Sequence, residues 1–246
     1  PCWNPVLFIS QSKTLFLFYK AGVNPMCWTA YMQRSKDGGK TWDKPHKFPA
    51  GLLGPIKNKP IQRADGTILA GSSVESYKDW VCWIERSSDD AKTWKRFGPI
   101  MVEENRFGII QPTLFETTDK RIVALCRSDG LGYIVQSESK DGGETWSTAV
   151  PTELPNPDSG IDLVRTKKGQ VFLVYNHTKT ARSPLNIALS DDDGKTWKKV
   201  ATLEDQAGEF SYPAVIQGQD GLLHITYTWN RRHIKYVTAD PAKLKP

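Results

Sequence analysis

The stretch Ser35-Lys-Asp37-Gly-Gly39-Lys-Thr41-Trp42 returns three times along the chain. The copies are Ser87-Ser-Asp89-Asp-Ala91-Lys-Thr93-Trp94, Ser139-Lys-Asp141-Gly-Gly143-Glu-Thr145-Trp146 and Ser190-Asp-Asp192-Asp-Gly194-Lys-Thr196-Trp197. Their tryptophans stand 52, 52 and 51 residues apart. A period of about 50 residues marks an array of similar supersecondary units, and a propeller fits it best. Within each copy, Asp bonds its own backbone and Gly accepts a positive φ, so the motif reads as a turn between antiparallel strands. The Trp that follows is expected to be largely buried between neighbouring units, each of which must hide an apolar face. Ala91 stands where the other copies have Gly, so that turn is expected to be strained or reshaped.

Around each motif the same order of strand signals recurs. A first strand follows a proline or its equivalent: Asn4-Pro5-Val-Leu-Phe, Lys59-Pro60-Ile-Gln-Arg, Gln111-Pro112-Thr-Leu-Phe, Gly160-Ile161-Asp-Leu-Val and Tyr212-Pro213-Ala-Val-Ile. A turn leads to an apolar, alternating second strand such as Arg121-Ile-Val-Ala-Leu-Cys126 or Gln170-Val-Phe-Leu-Val-Tyr175. The third strand ends in the motif, and a short fourth strand forms the outer edge. No segment has a sustained helical period. The reading is an all-β chain forming one domain over 1–246. Its five repeats lie near 4–50, 57–105, 109–153, 158–205 and 210–240, the fifth without the motif.

Composition narrows the function classes. Apolar residues make up 39% and charged residues 24% of 246, ordinary values for a globular chain. Nine tryptophans are many, and the motifs use four; Trp3, Trp28, Trp80, Trp83 and Trp229 remain free to line a site. No apolar run approaches the roughly 18 residues of a membrane helix, so no membrane partner is expected. The net charge of +6 suits an anionic ligand. The cations are scattered, without a basic block or a nucleic-acid motif, so a glycan is expected rather than DNA or RNA. Cys2, Cys27, Cys82 and Cys126 contain no CxxC spacing. No metal or cofactor is therefore expected, and Cys82 and Cys126 read as buried free thiols. The sequon Asn176-His177-Thr178 falls at the expected pocket mouth and reads as unused. Compartment stays open, with a secreted or periplasmic location slightly favoured over the cytoplasm.

The pattern S-x-D-x-G-x-T-W is the Asp box, or bacterial neuraminidase repeat, and the chain resembles sialidases and their relatives, which are six-bladed β-propellers. That resemblance implies that the boxes sit on the rim, away from the ligand. It also implies that a first blade is missing from this chain, the alternative being closure with five. The likeness is closer to BNR repeat-like proteins of bacteria and plants. It rests on Trp3-Asn-Pro-Val-Leu-Phe, Gly54-Pro-Ile-Lys-Asn-Lys-Pro60, Ser72-Ser-Val-Glu75-Ser, Glu153-Leu-Pro-Asn-Pro-Asp158-Ser-Gly-Ile-Asp162 and Phe210-Ser-Tyr-Pro-Ala-Val-Ile, and covers essentially the whole chain. It implies carbohydrate-active chemistry.

Sialidases use an arginine triad on a sugar carboxylate, a tyrosine nucleophile paired with a glutamate, and an aspartate acid/base. Arg127, in Ala-Leu-Cys-Arg127-Ser, matches one arginine of the triad. Gln111 stands at the glutamate position, and Phe210 at the tyrosine position with Tyr212 two residues on. The Arg-Ile-Pro motif and its aspartate are absent. A glutamine cannot serve as the base for a tyrosine, so an altered mechanism is expected.

In a propeller, ligands meet loops that enter first strands and leave second strands. Those loops supply Asn58, Lys59, Gln111, Asp158, Glu209 and Tyr212, and Glu75, Arg127, Asp129, His177, Arg182, Trp229 and Arg231. Arginine grips a carboxylate bidentately and aromatic rings stack on sugars. Glu75, Tyr212, Glu209, Asp162 and His177 are the catalytic candidates. Arg127, Arg231, Arg182, Lys59, Asn58, Gln111 and Trp229 are the substrate-binding candidates. The leading reading is an exo-acting glycoside hydrolase on an acidic or related sugar, needing a carboxyl pair about 5 to 10 Å apart. A polysaccharide lyase on a uronate-containing glycan, using His177, Tyr227 or Tyr212, and Arg231, is an alternative. A non-catalytic glycan-binding propeller is the third.

Overall fold

A computed structural model describes residues 1–76, 79–103 and 108–245. The expected end of the second repeat, 105, lies outside the described residues. The architecture is a β-propeller of five antiparallel sheets, each a simple meander. Blade 1 holds β1 (Cys2–Ile9), β2 (Leu15–Ala21), β3 (Thr29–Ser35) and β4 (His46–Lys47). Blade 2 holds β5 (Ile61–Gln62), β6 (Ile68–Glu75), β7 (Trp80–Ser87) and β8 (Lys95–Ile100). Blade 3 holds β9 (Ile109–Glu116), β10 (Ile122–Ser128), β11 (Tyr133–Ser139) and β12 (Val150–Pro155). Blade 4 holds β13 (Asp162–Arg165), β14 (Val171–Tyr175), β15 (Leu185–Ser190) and β16 (Lys198–Glu204). Blade 5 has three strands, β17 (Phe210–Gln217), β18 (Leu223–Trp229) and β19 (His233–Ala239).

The core lies between neighbouring blades. Leu69, Cys82, Ile109 and Cys126 fill the space between blades 2 and 3, Phe115, Leu163 and Leu173 that between blades 3 and 4, and Phe172, Phe210 and Tyr227 that between blades 4 and 5. Leu7 and Ile9 on β1, and Ile216, Ile234 and Tyr236 on blade 5, stay exposed.

Each Asp box closes the turn after a third strand through the same bonds. In the first copy, Ser35 Oγ donates to Asp37 Oδ1 at 2.7 Å, and Asp37 accepts the backbone N–H of Lys40 and Thr41 at 3.0 and 2.9 Å. The Thr41 hydroxyl and backbone N–H, with Ser35, hold the Asp37 carboxyl far below the usual carboxylate range. The box glycine is a packing requirement as well as a turn residue. Gly194 has φ 83°, and a Cβ there would lie 2.7 Å from the Phe115 ring of blade 3. Ala91 keeps the left-handed conformation at φ 63°, so the second turn is strained and not reshaped. The box tryptophans are half-buried, not largely buried as expected. The reason is polar: the indole N–H of Trp42, Trp146 and Trp197 donates to the box glycine carbonyl at 3.0–3.2 Å, which keeps the ring at the rim. Trp94, near Ala91, has its indole nitrogen buried without a hydrogen-bond partner among the described residues.

At the inner end of the blades, cations cross-link the first strands. Lys57 Nζ donates to the carbonyls of Ile161 and Pro213 at 2.7 and 2.6 Å and to Asn58 Oδ1 at 3.0 Å. Lys59 Nζ bonds Asp162 Oδ2 at 2.8 Å and the Leu163 carbonyl at 2.7 Å. Asp162 also accepts from Thr113 Oγ1 at 3.0 Å and Val215 N–H at 2.9 Å. Blades 2 to 5 are thus tied at the axis by three side chains. Burial pushes the Lys57 ammonium down to about 7, aided by the charges of Lys59 and Arg127 and opposed by Asp162.

Two outcomes follow from this packing. Trp146→Ala should cost about 2–3 kcal/mol in urea unfolding, below the roughly 3–5 of a fully buried ring, and leave ligand affinity unchanged. Lys57 binds its proton more weakly folded than unfolded, so the unfolded chain holds more protons from about pH 7 upward. Stability should therefore rise with pH between about 7.5 and 9.5, and Lys57→Met should flatten that rise by about 1 kcal/mol per pH unit in urea titrations.

Candidate functional site

Five residues lie where the chain enters the inner strands: Asn4, Gln111 and Tyr212 directly before a first-strand proline, and Lys57 and Asp158 two residues further out. All five have left-handed backbones, with φ of 47, 57, 53, 66 and 57° in that order. In blades 1, 3 and 5 the residue precedes a proline at a β-bulge, where the register of first strand against second shifts: Trp3/Val6 on β1, Leu125/Arg127 on β10 opposite Gln111, and Ser211/Ala214 on β17. A non-glycine residue held at positive φ costs about 1–3 kcal/mol and persists where the surroundings over-determine it. In blades 3 and 5 the bulge re-aims Gln111 and Tyr212 toward each other across the channel, where both approach Gly160. Gly160 marks the convergence: a Cβ there would lie 3.1 Å from both Lys57 Cε and Tyr212 Cδ1, and 3.6 Å from Gln111 Oε1.

A polar network spans blades 2 to 5 at this end. Arg127, on β10, is 6% exposed. Its Nη1 donates to Gln111 Oε1 at 3.3 Å, its Nε lies 3.1 Å from Asp158 Oδ1, and its guanidinium sits 5.5 Å from the Trp80 ring centre. Arg182 donates to the Asp158 carbonyl and to Glu209 Oε1, each at 3.2 Å. Arg231 Nε holds both Glu209 oxygens at 2.8 and 2.7 Å. The Arg182 guanidinium stands 5.2 Å from the Tyr212 ring centre.

The charges in this network alter its acids. Burial raises Glu75, against Arg127 and with help from Asp158. Burial likewise raises Asp158, against Arg127 and with help from Asp129. Hydrogen bonds from Arg231 lower Glu209. Burial opposes ionisation of Tyr212, but Arg182 and Arg127 outweigh it and lower the phenol below its ordinary value.

The structure therefore brings together Glu75, Gln111, Arg127, Arg182, Glu209, Tyr212 and Arg231, with Asp158 and Trp80 from the wider set that the sequence offered. It places the other candidates elsewhere. Asp162 is 2% exposed and both oxygens are engaged at the axis, so it is a brace and not a catalytic acid. Lys59 is its partner, and Asn58 spends its amide on the Gln111 carbonyl at 2.8 Å. Trp229 packs on Phe210 at 6.1 Å in the core between blades 4 and 5, and stacks on His233. His177 is hydrogen-bonded to Tyr175, and its acidity is set by burial and by Lys199 on the outer strand β16. Tyr227 donates to Glu204 at 2.6 Å. Of the residues that the lyase reading names, Tyr212 and Arg231 belong to the network, and His177 and Tyr227 serve other partners. Phe210 is fully buried, and Tyr212 presents the phenol to the network, so Phe210 is no departure at the site. Asn176 is fully buried with its oxygen bonded to Ser159 and its amide to Pro184 and Phe210, which closes the sequon to modification.

The BNR repeat-like domain matches residues 1–225. The chain belongs to that family. A curated sialidase of Micromonospora viridifaciens is 26% identical over 152 residues, 57% of this chain and 22% of that protein. The Hadza microbial sialidase Hz136 superposes with a TM-score of 0.82 at 19% identity, over 99% of this chain and 53% of its own. A Trypanosoma rangeli sialidase, solved with 2,3-difluorosialic acid as a covalent intermediate, gives 0.77 at 18% identity, over 99% of this chain and 45% of its own. The chain thus spans about a fifth to a half of these relatives, and the solved structures share its fold.

Removing Arg127 would take the nearest cation from two burial-raised carboxyls, leaving Asp158 only Arg182. Arg127→Ala should cost about 2–3 kcal/mol at neutral pH, less than the roughly 3–5 of a fully buried pair because the Asp158 side chain is 34% exposed. The loss should shrink as pH falls through the carboxyl range, where both acids become neutral, and denaturant titrations at pH 7 and 4 measure the difference.

Proposed function

We propose that this protein is a sialidase-like glycoside hydrolase acting on the terminal residue of an acidic glycan. The observation that carries the reading is the phenol of Tyr212 held against two guanidiniums, Arg182 and Arg127. Arg182 and Arg127 offer charge-assisted donors to a sugar carboxylate. The same two charges stabilise a Tyr212 phenolate, so the nucleophile does not depend on a carboxylate base at Gln111. The phenolate attacks the anomeric carbon, the glycosidic bond breaks, and a burial-raised carboxyl, Asp158 or Glu75, protonates the departing oxygen. Water then releases the sugar, with that carboxyl acting as base.

A panel of aryl glycosides of sialic acid, of uronic acids and of neutral hexoses tests the reading. Turnover confined to acidic sugars is expected. Tyr212→Phe should lower kcat by about a thousandfold or more while the substrate still binds. The rate should pass through a maximum with pH, because the active form holds Tyr212 ionised and the acid protonated together. Unimpaired turnover in Tyr212→Phe, or preference for neutral hexosides, overturns the proposal.

A further inference from the structure

Three buried polar atoms at one end of the network lack a hydrogen-bond partner among the described residues: Glu75 Oε1, Arg127 Nε and Asp158 Oδ1. They come from three different blades. Arg127 Nε and Asp158 Oδ1 are 3.1 Å apart, close enough to balance charge but not aligned as donor and acceptor. The Glu75 carboxyl feels both of them, with the Gln111 amide beside it. Arg127 and Asp158 offset each other's charge as an ion pair, yet neither atom nor Glu75 Oε1 has an aligned hydrogen-bond partner, and a buried polar group left so costs about 1–3 kcal/mol, so the cluster calls for an occupant.

The chemistry of the three atoms selects that occupant. Two carboxyl oxygens accept and one guanidinium N–H donates. Beside Arg127 Nε an anion meets two carboxyls, so a sugar carboxylate is left to the other guanidinium nitrogens, and a bare cation meets Arg127, which is 6% exposed and cannot swing away. A hydroxyl both donates and accepts, and a pair of neighbouring hydroxyls engages all three atoms. The Trp80 indole, half-buried beside Arg127, is an aromatic neighbour of the kind that packs on the C–H side of a sugar ring.

We propose that Glu75, Arg127 and Asp158, beside Trp80, form a subsite that binds neighbouring hydroxyls of the sugar. This rests on the glycoside reading, and assigns Glu75 and Asp158 a part in choosing the sugar beyond proton transfer.

The test is a cycle between ligand hydroxyls and Glu75, read by calorimetric affinity. The probes are a methyl sialoside, its monodeoxy analogues each lacking one hydroxyl, and a methyl hexopyranoside with its own deoxy series. The proteins are wild type, Glu75→Ala and Glu75→Gln, with thermal melts to confirm folding. At least one deoxy analogue of the sialoside should bind wild type about tenfold or more weaker than its parent, and Glu75→Ala should bind both alike. Equal binding of every analogue by wild type means that the three atoms hold only water and overturns the subsite. An equal loss in wild type and both variants overturns the part given to Glu75. If only the neutral series binds and shows the coupling, the subsite stands and the acidic-sugar reading falls. If neither series binds, both fall.

Discussion

The propeller is held at its axis by lysine ammonium groups bonded to main-chain carbonyls. First strands that face a central channel leave polar backbone groups without a partner strand, and such groups must be satisfied. Lys57 reaches the carbonyls of Ile161 and Pro213, and Lys59 reaches Asp162 and Leu163, so side chains of one blade complete the inner edges of two others. Asp162 returns the favour to blades 3 and 5 through Thr113 and Val215. The cost is burial of positive charge, visible in the lowered Lys57. That charge also contributes a positive field beneath the network of Arg127, Arg182 and Arg231, which favours an anionic ligand.

Above this floor the site is assembled from strained backbone. Gln111, Asp158 and Tyr212 are held at positive φ where the chain enters three neighbouring first strands. At Gln111 and Tyr212 a bulge and the following proline hold the strained backbone in place. Arg127 then reads the result: it touches Gln111 from its own blade, Asp158 from blade 4 and Trp80 from blade 2. A site built this way is set before a ligand arrives, since folding has already ordered the side chains.

The Asp boxes and the site lie at different ends of the same strands. Each box closes a third strand onto a fourth, and in the last three its glycine or alanine packs against the preceding blade, as Gly194 does on Phe115. The site instead uses the entry to first strands and the exits from second strands. Blade packing and ligand chemistry therefore draw on separate residues, and the repeat can vary at one without losing the other.

The sequence by itself determined the fold. Four boxes at a constant period require equivalent units, and alternating apolar strands between them require sheets packed face to face. It also pointed to most of the network, because Arg127, Arg182, Glu209, Tyr212 and Glu75 stand at repeat positions that a propeller turns toward its channel. Tertiary structure decided which of those residues share a site and which are braces. Asp162 and Lys59 read as polar channel residues in sequence, yet their partners, Thr113 and Val215 for one and Leu163 for the other, lie 49 to 104 residues away and exist only once the blades close. Phe210 and Tyr212 are two residues apart, and only the bulge at Tyr212–Pro213 decides which ring enters the core and which faces the arginines. The half-burial of the box tryptophans was hidden for the same reason. A ring's depth depends on where its indole N–H finds an acceptor, and that is a property of the folded turn.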